Sequence, residues 1–306
     1  MTDPDNERLV ARTPVRESGG AEVKGRQWPP MTYVGKEQIP EAGLHVDLGW
    51  IYQVPQPDAQ ESEQVLDYDQ LLVHIGMDPD TPQNLGATVE FYLGGQRIVF
   101  NTTTAIYIPK GIPYGPLTWK EVVRPHLQMS IVFGSSDPYG GSALKVIGAS
   151  KDAVPAKTDK TDYEQYVVRS PMREAGPDHV EGRQNPTMTY LSGTQVPGVR
   201  NYMEIGWIWD VPDRSIPKMR HDNYDEIVLH VGSDPDDPED LNGILLFGVG
   251  EELVELTTTH CVYAPKGVDH GPLFWKEVRR PLLEIAMMLG AGTWAEGWEG
   301  SFFDEE

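Results

Sequence analysis

The chain is written twice, and that repetition constrains its fold more than any other feature. ‘RTPVRESG’ from Arg12 returns as ‘RSPMREAG’ from Arg169, ‘GRQ’ at Gly25 returns at Gly182, and ‘LGWIYQVP’ from Leu48 returns as ‘IGWIWDVP’ from Ile205, all displaced by 157 positions. The second copy is one residue shorter after Pro212. From there ‘YDQLLVHIGMDPD’ matches ‘YDEIVLHVGSDPD’, and ‘IYIPKGIPYGPLTWKEVVRP’ matches ‘VYAPKGVDHGPLFWKEVRRP’, at a displacement of 156. So many separated signatures kept in order mean two homologous domains. The stretch rich in Gly, Ser, Asp and Lys around residue 150 predicts the boundary, giving domains 1–150 and 151–306, each with its own leading arm.

Each copy is built of short apolar runs bounded by Gly, Pro and Asp, such as ‘IGWIWDV’, ‘EIVLHVG’, ‘GILLFGV’ and ‘LLEIAMML’. Val, Ile, Trp, Tyr and Phe dominate them, which is the composition of strands at the spacing of sandwiches and barrels. Long periodic helices, a glycine-rich dinucleotide fingerprint and a phosphate loop are all missing. The fold class expected is all-β.

Charge narrows the partners. With 25 basic and 47 acidic residues the formal net charge is −22, which repels phosphate backbones and anionic lipid, so neither nucleic acid nor membrane is expected as a partner. Cys261 is the one cysteine, so no internal disulfide forms. The opening ‘MTDPDNERLVARTP’ lacks the apolar core of a signal peptide, and no apolar run reaches the length of a bilayer span. The expectation is a cytoplasmic protein.

The chemistry concentrates in the second copy. His221, Glu226 and His270 offer two imidazoles and a carboxylate that can meet on one divalent metal. His221 and Glu226 are five residues apart, so a regular strand would aim them at opposite faces; ‘HDNYD’ has to turn or bulge to bring them together. ‘HDNYDEIVLHVG’ and ‘PKGVDH’ resemble the two motifs of the cupin superfamily, a histidine before a glutamate that opens a strand, and a Pro-x-Gly turn followed by histidine. The resemblance covers about residues 30–135 and 187–291. It implies two tandem double-stranded β-helix (jelly-roll) barrels, with a metal inside.

Comparison of the copies sharpens this reading. Val65, Gln70 and Tyr114 stand where the second copy has His221, Glu226 and His270, so the first barrel is expected to be metal-free, with a structural or partner-facing role. Glu284, Asn223 and His230 are the candidates to complete the ligand sphere, alongside a three-ligand site with water. His230 and His74 occupy equivalent positions, which favours a structural role with ring nitrogens bonded to nearby backbone. Cys261 reads as a core thiol, its neighbour His260 pointing to the other face. ‘DPDTPQN’ and ‘DPDDPED’ read as exposed acidic turns.

Iron or manganese suits the His/Glu set best, with zinc and nickel also compatible. The function expected is a metal-dependent enzyme on a small oxygenated or carbonyl-containing molecule, oxygenation favoured over isomerisation or hydrolysis. Glu204, Tyr263 and Glu284 are the proton-transfer candidates. The opposing reading is a non-catalytic, small-molecule-binding or structural bicupin. The residues leave both a monomer and a homodimer open.

Overall fold

A computed structural model describes residues 8–16, 22–56, 59–60, 62–140, 142–146, 155–157, 159–174, 180–298 and 301. The fold is all-β, as the runs of β-branched and aromatic residues dictate, and antiparallel pairing joins every neighbouring pair of strands. Among the described residues no helix is long and apolar enough to cross a membrane.

The C-terminal barrel has a larger sheet in the order Val10–Ala11, His260–Ala264, Asp225–Val231, Leu282–Leu289, Asn201–Ile208, Met188–Leu191. A smaller sheet follows the order Glu252–Thr258, Asp240–Val249, His270–Val278. The N-terminal barrel matches it: Val167–Val168, Thr104–Ile108, Gln70–Gly76, His126–Phe133, Leu44–Gln56 and Lys24–Arg26 form one sheet. Tyr114–Val122, Asn84–Leu93 and Gln96–Thr102 are consecutive strands of the other, the last at its edge. Its core gathers Leu72, Phe91, Phe100, Ile106, Leu117 and Trp119 from both sheets.

Register fixes what each barrel holds. In the larger C-terminal sheet Glu226 lies opposite Ala264 and Met288, Val228 opposite Val262 and Ala286, and His230 opposite His260 and Glu284; Glu204 lies opposite Ala286. Because side chains alternate along a strand, Glu204, Glu226, His230, His260 and Glu284 share one face, and Cys261, Tyr263, Ile227 and Leu229 share the other. His230 meets the rings of Phe247 and Trp275 from the smaller sheet, so its face is the barrel interior.

The domain boundary differs from the expected one. Contacts divide the chain into Val15–Arg169 and a second unit made of Met1–Pro14 with Ser170–Glu306. Val10 and Ala11 pair with Val262 and Cys261 of the C-terminal barrel, while Val167 and Val168 pair with Ile106 and Ala105 of the N-terminal barrel. The two pairings are the same contact under the repeat. Each leading arm therefore completes the other copy's barrel, because its two apolar residues cover an open strand edge there. Residues 147–154 of the expected boundary stretch lie outside the described residues.

The hairpin at Gly94 and Gly95 shows how one arm is seated. Both glycines have positive φ, +56° and +75°, as a two-residue hairpin turn requires. A Cβ on Gly94 would run into the Tyr163 ring, and one on Gly95 into the backbone at Ala156. Gln96 beside them accepts from the Tyr163 amide at 3.0 Å and donates to Asp162 at 3.0 Å. The acidic turns also have a local use: Asp234 pairs with Arg280 at 2.7 Å, and Asp78 pairs with Arg124, the arginines that follow each ‘WKEV’.

Candidate metal centre

The ‘HDN’ segment bends at Asp222 and Asn223 before the Asp225–Val231 strand begins, and this bend turns His221 onto the face of Glu226. The Pro265 turn is closed by the Val268 amide on the Pro265 carbonyl at 3.0 Å, with Gly267 at φ +77°, a conformation that favours glycine. The Gly267 amide donates to the His221 carbonyl at 2.7 Å, and His270 pairs through its backbone with Met219. Both histidines are thus fixed against each other by main chain before any side chain is considered.

The three expected ligands come together. Glu226 Oε2 lies 3.2 Å from His221 Nε2 and 2.9 Å from His270 Nε2, all three residues being at most 5% exposed. They form a metal-competent His/Glu cluster. Hydrogen accounting gives the tautomers. His270 Nδ1 lies 3.2 Å from the Val268 carbonyl, which only accepts, so Nδ1 carries a hydrogen and, in the neutral ring, Nε2 keeps the lone pair. Tyr224 and Ser301 both donate their hydroxyl hydrogen to the Gly297 carbonyl. Each hydroxyl oxygen can then only accept from His221 Nδ1, at 2.6 and 2.9 Å, so His221 Nε2 is also a lone pair when the ring is neutral and donates to Glu226 at 3.2 Å when it is protonated.

With both rings neutral, two imidazole lone pairs and a carboxylate oxygen therefore converge in a buried space. Such an arrangement calls for a cation, and outer partners that fix both Nδ1 atoms are what metal-ligating histidines use. The residues fit a divalent metal. With protons as the only cations, burial pushes the Glu226 carboxyl up, but hydrogen bonds and charge from His221 and His270 outweigh it and hold it at about 2. Burial lowers the His270 imidazole, and its contact with Glu226 reverses this, leaving it raised.

None of the three candidates for a further ligand joins the cluster. Asn223 is exposed in the bend. Glu284 is held by Arg183 on one oxygen and by His230 Nε2 at 3.1 Å on the other. His230 in turn reaches His260 Nε2 through Nδ1 at 2.9 Å, and His260 Nδ1 donates to the Thr258 carbonyl at 2.6 Å. Counting hydrogens along that chain leaves His230 Nε2 facing Glu284 with one proton to share, a buried ion pair completed by Arg183. His230 is structural, but through side chains and not through backbone. In the first barrel His74 has neither nitrogen bonded, because Thr104 and Gln128 replace His260 and Glu284; it sits instead among the rings of Phe100, Trp119 and His126.

Tyr263 is a correction. Its register partner is Ile227, so it points to the face opposite Glu226, and its amide is spent on the Leu9 carbonyl of the arm at 2.8 Å. Glu204 does face inward. It lines a cavity of about 540 Å³ with Arg183, Thr187, Arg214, Trp294 and Trp298, and its buried Oε2 has no partner. Burial is the largest influence on its carboxyl, Arg183 and Thr187 oppose it, Glu284 and Glu226 add to it, and the result is a value near 7.

A consequence of Glu204 is testable on metal-free protein. Its folded value of about 7 lies above the ordinary 4.5, so the folded state binds the proton more tightly and stability falls as pH rises from 4.5 through 7. The cost approaches ~3 kcal/mol above pH 7. Glu204→Gln is expected to flatten that slope and to be the more stable protein at pH 8, read by urea unfolding across this range; an unchanged slope refutes the assignment.

Trp294, Trp298 and Ser301 were not legible as site residues, because they follow the last repeated signature and have no counterpart in the first copy. Arg183 did carry a signal, since ‘GRQ’ recurs at Arg26.

No protein-family model matches the sequence, and no curated protein is similar to it. Solved structures do match in fold. AerE from Microcystis aeruginosa superposes with a TM-score of 0.53 at 12% identity, over 90% of this chain and 97% of the other. Oxalate decarboxylase from Bacillus subtilis gives 0.54 at 10%, over 90% and 78%. Pumpkin seed globulin gives 0.56 at 10%, over 92% and 85%. A decarboxylase and a seed globulin share one architecture, so function has to be argued from the site.

Proposed function

We propose that this two-domain cupin carries in its C-terminal barrel a metal-dependent enzyme site for a small oxygenated or carbonyl-containing molecule, with oxygenation favoured over isomerisation and hydrolysis. One observation carries the reading: both histidines have Nδ1 committed to outer partners and Nε2 turned onto Glu226. His221, Glu226 and His270 would hold iron or manganese, with zinc or nickel compatible with the same donors. When bound, the ion polarises a substrate oxygen or activates a small oxygen species at positions that three protein ligands leave open.

The chain's own residues supply the rest. Arg214 at the exposed rim and Arg183 within draw a carbonyl or carboxylate inward. Glu204, with its value near neutrality, exchanges a proton with substrate around pH 7. Trp294 and Trp298, with ring centroids 6.5 Å apart, form an apolar wall that excludes water.

The test is metal content by inductively coupled plasma mass spectrometry on untagged protein, followed by reconstitution with Fe(II), Mn(II), Zn(II) and Ni(II) and a screen for oxygen uptake with aromatic and aliphatic carbonyl compounds. About one equivalent per chain with metal-dependent turnover is expected. Protein that neither contains nor takes up metal overturns the proposal.

A further inference from the structure

The N-terminal barrel also holds a cavity, of about 320 Å³, and Val65, Gln70 and Tyr114 stand in its sequence where the other copy has His221, Glu226 and His270. Gln70, Tyr114 and Gln128 line it at the positions of Glu226, His270 and Glu284, with Arg26, Trp28 and Asp47 around them. Gln70 and Gln128 are 6% and 7% exposed. Gln70 Nε2 donates to Ser130 Oγ at 2.8 Å, yet the amide oxygens of both glutamines are buried with no partner. Turning the Gln70 amide over would leave its nitrogen unpaired in place of its oxygen, so one end lacks a hydrogen bond in either orientation. An unmet buried polar group costs about 1–3 kcal/mol, a cost that a cavity occupant offering hydrogen bonds would remove once the amides turn toward it.

The wall chemistry selects that occupant. Neutral carboxamides are poor metal ligands. Asp47 and two carbonyl oxygens disfavour an anion, and Arg26 disfavours an ammonium. A hydroxyl, which donates and accepts, satisfies a carboxamide, a carboxylate and a guanidinium alike. Arg26 lies over the Trp28 ring at 5.9 Å, and Trp28 and Tyr139 add aromatic surface for a C–H face. The volume is at the small end of the ~300–1,000 Å³ typical of ligand pockets.

We infer that the N-terminal barrel is a metal-independent binding site for a neutral, monosaccharide-sized polyol. The inference does not rest on the metal site proposed for the C-terminal barrel.

The experiment uses full-length, chelator-treated protein and saturation-transfer NMR with D-glucose, D-galactose, D-mannose, L-arabinose and myo-inositol, followed by calorimetric titration of any that bind. At least one is expected to bind. Gln70→Leu/Gln128→Leu is expected to weaken it about tenfold or more. Gly49→Leu tests the same cavity without touching either glutamine: a Cβ at Gly49 lies 3.8 Å from Arg26 and Pro30, so the first atom fits and the rest of the side chain fills the space. It serves as the decisive variant if the double one fails to fold. Binding by none of the five, binding unchanged by the variants, or binding that requires metal or disappears in His270→Ala would each overturn the inference.

Discussion

His270→Ala is expected to lower metal affinity by about a hundredfold to a thousandfold, the share of one ligand in the ~10–16 kcal/mol that a structural four-ligand zinc site can provide. The expectation rests on position. His270 Nε2 is one of only two imidazole nitrogens at Glu226, and the neighbouring Glu284 and His230 are already bound to each other and to Arg183 and His260. Competition against a chromophoric chelator gives the affinity, and far-UV circular dichroism shows whether the strands survive. Metal held at parental affinity by a folded variant would remove the cluster from consideration as the binding site. Affinity lost together with the fold would be resolved by Tyr224→Phe, which removes one acceptor of His221 Nδ1 without replacing a ligand and is expected to cost 10- to 100-fold.

Arg183→Leu is expected to destabilise the protein by about 3–5 kcal/mol, the range for removing one partner of a buried ion pair. Glu284 is 6% exposed and its carboxyl is held below the usual range: burial raises it, but Arg183 and then His230 outweigh that. Without the guanidinium one carboxylate oxygen loses its partner in the barrel interior. Arg183→Leu/Glu284→Gln should recover most of the loss, since a neutral amide can donate to His230 Nε2 and leaves no unpaired charge. Urea unfolding of the two variants decides the matter; a single-variant cost under about 1 kcal/mol would mean that water, and not Arg183, stabilises Glu284.

Much of this was legible in the residues. The repeat exposed both barrels, and the difference between Glu226 and Gln70, or His270 and Tyr114, singled out the one that holds the buried His/Glu cluster. The bend in ‘HDN’ was required by spacing alone. Other features depended on long-range register. Nothing local tells that Ala264, and not Tyr263, stands opposite Glu226, and the His260–His230–Glu284–Arg183 chain draws on four separate segments between residues 183 and 284. The arms misled for a related reason: a repeated segment looks identical whether it folds onto its own copy or the other one. Composition could not reveal the orphaned amides of the first cavity either, because an unmet hydrogen bond is a property of neighbours.

The arm pairing also bears on how the chain can be divided. Val10 sits against Val262 as Val167 sits against Ile106, so the contact follows the repeat symmetry. A cut between the two copies near residue 150 would leave each half with an open strand edge where the other half's arm now pairs, so neither half taken alone would keep the edge covered.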